Sequence, residues 1–385
     1  MNFSNVVLVL AISHGFLLSL FILKKNRRFL PNKILFFFIT VCNLILFNLL
    51  YTDLKLEMKF PYIPLVLDGL VYLPGPLFYQ YVKYVLAGLK RFQRIDFLHY
   101  LPYLIYLIIT VPDYFKPEIV VINSFKEIYT DHPPFMSIVF NWSIVFQIII
   151  YLFLAYYNIY KYSNKITQYY SSVDEFNTNW MKILVVVFLF GILVFGAENA
   201  LFSFGINLSN YFTLSSVIFG ISIYSFGYFG LIKADGLFCI DFNELKIFQS
   251  EEKKKYVKSG LEPEKANEIC NKLLKLMDTE KPFLDSSFNL QKLANRLKVP
   301  SYYLSEVLNV QLKKSFYEFI NFYRINEVRK ILEENIDKNR NILEIAYACG
   351  FNSKSTFNKF FKKYYGVTPS EYRDRVLRDK QLNIS

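Results

Sequence analysis

Asp68, Glu198 and His14 ask most directly for a chemical explanation, because each interrupts a long apolar run. An ionisable group is costly in hydrocarbon, so it faces a partner, a bundle interior or a water-filled cavity. Asp68 falls mid-run, Glu198 stands in Gly196-Ala-Glu-Asn-Ala200, and His14 lies in the first run. With Asn43, Asn48, Asn141, Gln147 and Asn199 they could line a polar cavity that senses a ligand or a proton. The same groups could instead bond between helices and simply hold a bundle together. No signature of catalysis accompanies them: H-E-x-x-H, G-x-S-x-G and the P-loop are all absent. Cys42, Cys239, Cys270 and Cys349 form no C-x-x-C, and His14, His99 and His132 are equally scattered, so neither a disulfide framework nor a metal site is expected. No cofactor is expected either.

The elements that would position these groups are helices. The 385-residue chain is 53% hydrophobic and 19% aromatic, too apolar as a whole for an ordinary soluble protein. The excess sits in residues 1–232, which hold seven apolar runs at roughly 3–23, 34–54, 61–82, 96–112, 135–160, 180–204 and 210–232. Each is near the roughly 20 residues that cross a hydrocarbon core of about 30 Å. Pro64, Pro74, Pro76 and Pro102 interrupt the third and fourth, and each removes a backbone donor that lipid cannot replace. The first run has no preceding positive charge and no small-residue cleavage pattern, and reads as a retained anchor.

Loop charges set an orientation, since Lys and Arg collect on the cytoplasmic side. Lys24, Lys25, Arg27, Arg28 and Lys33 follow the first run; Lys83, Lys90, Arg91 and Arg94 follow the third; Lys161 and Lys165 follow the fifth. The intervening loops are poorer in positive charge. The expectation is a multi-pass protein of the inner (cytoplasmic) membrane, N-terminus outside, with everything after Lys233 in the cytoplasm.

Residues 233–385 are different material, with 28 Lys and Arg against 21 Asp and Glu, a net +7 that favours a polyanion or an anionic leaflet. Glu251-Glu-Lys-Lys-Lys255 reads as solvated chain within a linker at 233–262. A helical pattern starts at Pro263, with Ala266, Ile269, Leu273, Leu274, Leu276 and Met277 near i, i+3, i+4, i+7 spacing. Leu290, Leu293, Ala294 and Leu297 then make one face of a short helix, Lys298-Val-Pro300 forces a turn, and Leu304, Val307 and Leu308 make a second face. The arrangement recurs as Ile342, Ile345 and Ala346, a turn at Gly350-Phe-Asn352, and Phe357, Phe360 and Phe361. Two helix-turn-helix units are therefore expected. Capping boxes at Ser315–Glu318, Asn341–Glu344 and Thr368–Glu371 mark helix starts. Between the units a helix from about Ser315 to Asn335 would span roughly 30 Å at about 1.5 Å per residue, close to one turn of duplex DNA at about 34 Å.

The stretches Ser315-Phe-Tyr-Glu-Phe-Ile-Asn-Phe-Tyr-Arg-Ile325, Ile342-Leu-Glu-Ile-Ala-Tyr-Ala-Cys-Gly-Phe351 and Phe360-Phe-Lys-Lys-Tyr-Tyr-Gly-Val-Thr-Pro-Ser-Glu-Tyr-Arg373 resemble the AraC-type DNA-binding domain, over about residues 271–375. Through Pro74-Gly-Pro-Leu-Phe78 and His99-Tyr-Leu-Pro102 the upstream half is similar to the seven-helix sensor found before such domains in Bacteroidota regulators. The resemblance implies an all-α chain: a seven-helix transmembrane bundle over 1–232, then a double helix-turn-helix domain over 263–380 with its units joined by a long helix. It also implies that exposed positions early in each recognition helix face bases. Those are Tyr302, Tyr303, Ser305, Glu306 and Asn309 in the first unit, and Lys354, Ser355, Thr356, Asn358 and Lys359 in the second.

Side-chain chemistry suits the second set best, since Lys359 can donate to guanine O6 and N7, Asn358 can pair with adenine, and Thr356 can bond a base or phosphate. Lys362, Lys363, Arg373 and Arg375 would neutralise phosphates, giving position and salt dependence without sequence choice. Glu306 departs from the commoner basic or amide residue: it either accepts from cytosine N4 or marks a helix that reads little. The implied function is a one-component transcription regulator, with double-stranded DNA, the lipid bilayer, a homodimeric partner on DNA, RNA polymerase and an unidentified small-molecule or membrane signal as its partners. Two alternatives remain open at this point: a membrane transporter, enzyme or receptor with an attached regulator, and a C-terminal domain that acts by binding another protein.

Overall fold

A computed structural model describes residues 3–25, 30–87, 91–128, 134–172, 178–206, 212–237, 261–334 and 341–382 of the chain. Among these residues the chain is helical throughout, with one isolated bridge between Tyr170 and Asn289. It divides into two units: Met1–Tyr160 with Thr178–Ile240, and Lys161–Asn177 with Asp241–Ser385.

The first unit contains α1 (Phe3–Lys25), α2 (Leu30–Asp53), α3 (Tyr62–Leu67), α4 (Pro74–Ala87), α5 (Leu101–Thr110), α6 (Glu118–Ile128), most of α7 (Phe135–Tyr169), α8 (Asn179–Ser203) and α9 (Phe212–Leu237). Five segments among the described residues are long and apolar enough to cross a membrane: Leu30–Asp53, Tyr62–Ala87, Arg94–Phe115, Phe135–Tyr169 and Asn179–Ser203. Leu8–Lys24 and Val217–Gly230 are shorter apolar helices. α6 occupies a stretch expected as loop, and α7 continues past residue 160.

The third expected run is broken, as its prolines predispose. α3 ends at Leu67, a 3-10 stretch covers Asp68–Tyr72, and α4 restarts at Pro74. The Asp68 N–H still donates to the Pro64 carbonyl. Gly69 lies inside the break, where a Cβ would come within 2.4 Å of the Tyr106 ring. Behind the break, Phe38, Phe78, Phe188 and Phe226 form an aromatic core, with Phe38 edge-on to Phe226 at 4.8 Å. Tyr81 packs on Phe226 at 4.9 Å and donates its hydroxyl to the Gly230 carbonyl at 3.1 Å.

In the second unit, α10 (Pro263–Glu280) buries Ala266, Ile269, Leu273, Leu276 and Met277, and stops where Lys281 takes a left-handed conformation before Pro282. α11 (Leu290–Leu297) and α12 (Ser301–Glu306, continued by a π turn over Val307–Gln311) form the first helix pair. α13 (Phe316–Glu334) leads to α14 (Ile342–Ala348) and α15 (Lys354–Tyr365), the second pair, and α16 (Pro369–Leu382) follows. Most of the linker expected at 233–262 lies outside the described residues.

Candidate nucleic-acid interface

Each helix pair is built on a small residue at its crossing. Ala294 in α11 and Ala346 in α14 are fully buried. After α11, Lys298 adopts the left-handed conformation at φ 56°, a cost a glycine would avoid. In the second pair Gly350 has φ +90°, and a Cβ there would lie 2.6 Å from the Phe283 carbonyl oxygen and 2.9 Å from Arg324 Nε. Gly350 is thus required by both backbone conformation and packing.

α15, the second helix of the second pair, is the better defined of the two expected recognition helices. Ser353 caps it, its Oγ accepting from the Thr356 N–H at 3.2 Å. Phe357, Phe360 and Phe361 are buried in a core with Ile345, Ala346, Phe351, Val328 and Leu332. The opposite side exposes Lys354, Ser355, Asn358, Lys359 and Lys362. These positions fall at i, i+4 and i, i+3 spacings, so amines, a hydroxyl and an amide share one helix face. Thr356 must be corrected: it is 9% exposed, on the core-facing side with Phe360, and is not part of that face. The helix is fixed to α13 by Tyr365, which donates to Asn326 Oδ1 at 2.7 Å.

Lys363 is exposed but donates to Glu318 Oε1 at 2.9 Å, tying α15 to the start of α13. That bond holds the Glu318 carboxyl below its usual value and the Lys363 ammonium above its own. Arg373 on α16 is half-buried and Arg375 is exposed. In α12, Asn309 is exposed and donates to Ser305 Oγ at 3.3 Å, while Tyr302, Tyr303, Ser305 and Glu306 are half-buried. The Tyr302 and Tyr303 rings meet at 4.3 Å, and Lys265 from α10 lies 5.6 Å over Tyr303. The first helix pair therefore offers two adjoining phenols tilted against each other, an amide and a carboxylate, with little positive charge. α13, at 19 residues, separates the two pairs by roughly 28 Å at about 1.5 Å per residue.

Arg324, in the middle of α13, carries structural weight that spacing alone conceals. It is 1% exposed and donates to the carbonyls of Phe283 at 2.7 Å, Asp285 at 2.9 Å and Ser171 at 3.2 Å, and to Ser171 Oγ at 3.1 Å. Asn321 also donates to the Ser171 carbonyl, at 3.1 Å, and Ser171 Oγ donates to the Phe288 carbonyl at 2.5 Å. Burial pushes the Arg324 guanidinium down to about 10, which leaves it charged at neutral pH. The only sequence signal was a cation set on an apolar helix stripe between Ile320 and Ile325. Ser171, in the stretch expected as a cytoplasmic loop after the fifth run, had no signal.

The three sensing candidates are not brought to one place. Asp68 accepts from Asn48 Nδ2 at 2.6 Å and lines a cavity with Asn48 and Asn141. Glu198 is buried in α8 and is not among that cavity's lining residues. His14 is exposed on α1, its ring 4.8 Å from Tyr224. Among the described residues no cluster of His, Cys, Asp and Glu has the makings of a metal site.

A family of helix-turn-helix domains matches residues 293–375. The chain is 32% identical over 89 residues to the melibiose operon regulatory protein of Escherichia coli, a match covering 23% of this chain and 28% of that one. It is 28% identical over 109 residues to the Probable transcription factor PqrA of Proteus vulgaris, covering 28% of this chain and 86% of the relative. It is 28% identical over 98 residues to the multiple antibiotic resistance protein MarA of Escherichia coli, covering 26% and 75%. A solved structure of a protein of unknown function from Listeria innocua is 26% identical, covering 28% of this chain and 95% of that one, with a TM-score of 0.24.

Proposed function

We propose that this chain, whose C-terminal part is a helix-turn-helix domain of the AraC type and whose relatives are AraC-type transcription regulators, is a membrane-bound regulator that binds specific duplex DNA through two helix-turn-helix units. The observation that carries the reading is the exposed face of α15, where Lys354, Ser355, Asn358, Lys359 and Lys362 stand on a helix capped by Ser353 and seated on buried phenylalanines. In this reading Lys359 and Asn358 read base edges, Ser355 and Lys354 contact bases or backbone, and Lys362, Lys363, Arg373 and Arg375 engage phosphates. Tyr302, Tyr303, Ser305, Glu306 and Asn309 present the second, less cationic contact patch.

Membrane attachment is supported by the inside-out pattern of the first unit: Asn43, Asn48 and Asn199 are buried, whereas Ile108 is 72% and Phe153 is 68% exposed. Apolar side chains facing outward in that number need a lipid environment. In this reading the N-terminus lies outside and the second unit in the cytoplasm, where it binds DNA as a homodimer and acts on RNA polymerase. The first unit is the sensor, similar in its sequence motifs to those of Bacteroidota regulators.

Footprinting of DNA from upstream of the chain's own gene, with the full chain held in lipid nanodiscs, tests the DNA-reading part. Two protected patches per subunit, about one helical turn apart on one face of the duplex, are expected. Protection without sequence preference, or none, would contradict it. Protease added to sealed spheroplasts tests the topology: the second unit should be cut only after lysis.

A further inference from the structure

The first unit holds a cavity of about 530 Å³ beside the break between α3 and α4, a size that suits a small organic ligand. An irregular helical stretch at membrane depth is tolerated where it is buried in protein or lines a cavity, and interrupted helices are where some membrane proteins bind small solutes. Here the broken stretch is Asp68–Tyr72, and both Asp68 and Tyr72 line the space.

The polar demand of the wall is one-sided. Asp68 takes one hydrogen bond, from Asn48 Nδ2 at 2.6 Å. Asn48 is 8% exposed, and its own Oδ1 is buried with no donor among the described residues. The Tyr72 hydroxyl is already engaged, 2.6 Å from Ser143 Oγ. Asp113 and Lys116 also line the space, but they pair with each other at 2.6 Å, which leaves the Asp68 carboxylate as the uncompensated charge of the wall. Around these acceptors the lining is aromatic: Tyr72, Tyr106 and Phe140 adjoin one another, with Tyr72–Tyr106 centroids at 6.0 Å and Tyr106–Phe140 at 5.6 Å. Tyr106 packs directly over Gly69, next to the carboxylate.

We propose that this cavity binds a small apolar amine as its ammonium ion. The ammonium has donors and no acceptor, which matches the carboxylate and the unfilled Asn48 oxygen, while aromatic faces beside them favour a cation and an apolar body. An anion is repelled by the Asp68 carboxylate, the charge of the wall that has no ion-pair partner. A neutral alcohol gains the apolar contacts but not the ion pair. The inference deepens the reading of the first unit as a sensor and rests on it for biological meaning, though not for its test.

The test uses the full chain in lipid nanodiscs, with empty nanodiscs as the partition control, and three probes of one shape: phenethylamine, 2-phenylethanol and phenylacetate. Saturation-transfer NMR should show the amine binding at least about tenfold more tightly than the alcohol, with no binding of phenylacetate. Asp68→Asn should bring amine and alcohol level. Equal binding of amine and alcohol to the unaltered chain, binding of the carboxylate, or an amine preference that survives Asp68→Asn would each overturn the proposal. If the variant does not fold, the three probes on the unaltered chain decide alone. DNA occupancy is measured separately: an amine that binds without altering it supports the site and counts against the sensor reading. A chain whose DNA occupancy answers another stimulus while it ignores the amine overturns the site and leaves the sensor.

Discussion

Arg324 and Gly350 show how much of the second unit rests on single residues. The guanidinium joins three segments through carbonyls, two of them in buried bonds, so Arg324→Ala leaves buried acceptors unpaired and should cost on the order of 3–5 kcal/mol. Arg324→Lys should recover only part of that, because an ammonium cannot reach acceptors arranged around a planar fork. Chemical denaturation of the unit, followed by the circular dichroism of full chain in detergent, reads both. Two left-handed glycines of the second unit, Gly350 and Gly366, provide a controlled contrast. Gly366→Ala meets open space at φ +73° and should cost about 1 kcal/mol, the conformational penalty alone. Gly350→Ala adds a clash with the Phe283 carbonyl and should cost well over about 2 kcal/mol. Gly350 was legible as a helix terminator, since a glycine after an apolar helical pattern is a recognised stop. Its packing role was not, because Phe283 is distant in sequence and no local pattern points to it. Thr356 was misplaced for a related reason: a threonine three positions past the N-cap suits either face, and only the set of phenylalanines beside it decides which.

At the scale of elements, helix starts were read correctly where the capping chemistry is reciprocal. Ser315 and Glu318 bond each other's backbone N–H groups, at 3.2 and 3.4 Å, and Thr368 and Glu371 do the same at 3.3 and 2.8 Å. At Asn341 the side chain accepts from the Leu343 N–H at 2.9 Å, a one-sided cap in place of the expected box. Ser315→Ala should therefore cost about 0.5–2 kcal/mol. The paired acids also set a pH dependence. The Lys363 hydrogen bond holds Glu318 below the ordinary glutamate value, so its contribution is complete at neutral pH and drains away as the pH falls below 4.5. A thermal melt series from pH 7 to about pH 3 should show a shallower acid decline for Glu318→Gln than for the unaltered chain. An unchanged slope would mean that this exposed pair is screened by solvent. α6 escaped notice in the sequence because its apolar residues sit between loop-like, charged flanks and are too few to form a span.

For the whole molecule, the sequence divides cleanly by composition into an apolar and a basic part, and that division was legible from charge and hydropathy alone. What composition does not show is that residues 161–172 pack with the C-terminal unit, through Ser171 and its bonds to Arg324, Asn321 and Phe288. Those bonds join chain separated by more than a hundred residues, beyond the reach of any local pattern. If the first unit supplies the regulatory signal, replacing it with an unrelated membrane anchor should abolish regulated expression from the chain's target promoters while leaving DNA binding intact. A reporter that responds identically with either anchor would sink that part of the account. The central claim is that α15 reads sequence, and the most direct measurement is the salt dependence of DNA binding by the full chain in nanodiscs, compared with Lys359→Ala and Lys362→Ala. We predict that Lys359→Ala loses about 1–3 kcal/mol of specific binding with little change on random DNA, whereas Lys362→Ala weakens both alike and lowers the salt slope by about 1. A Lys359→Ala chain that keeps its full ratio of specific to non-specific affinity would contradict it.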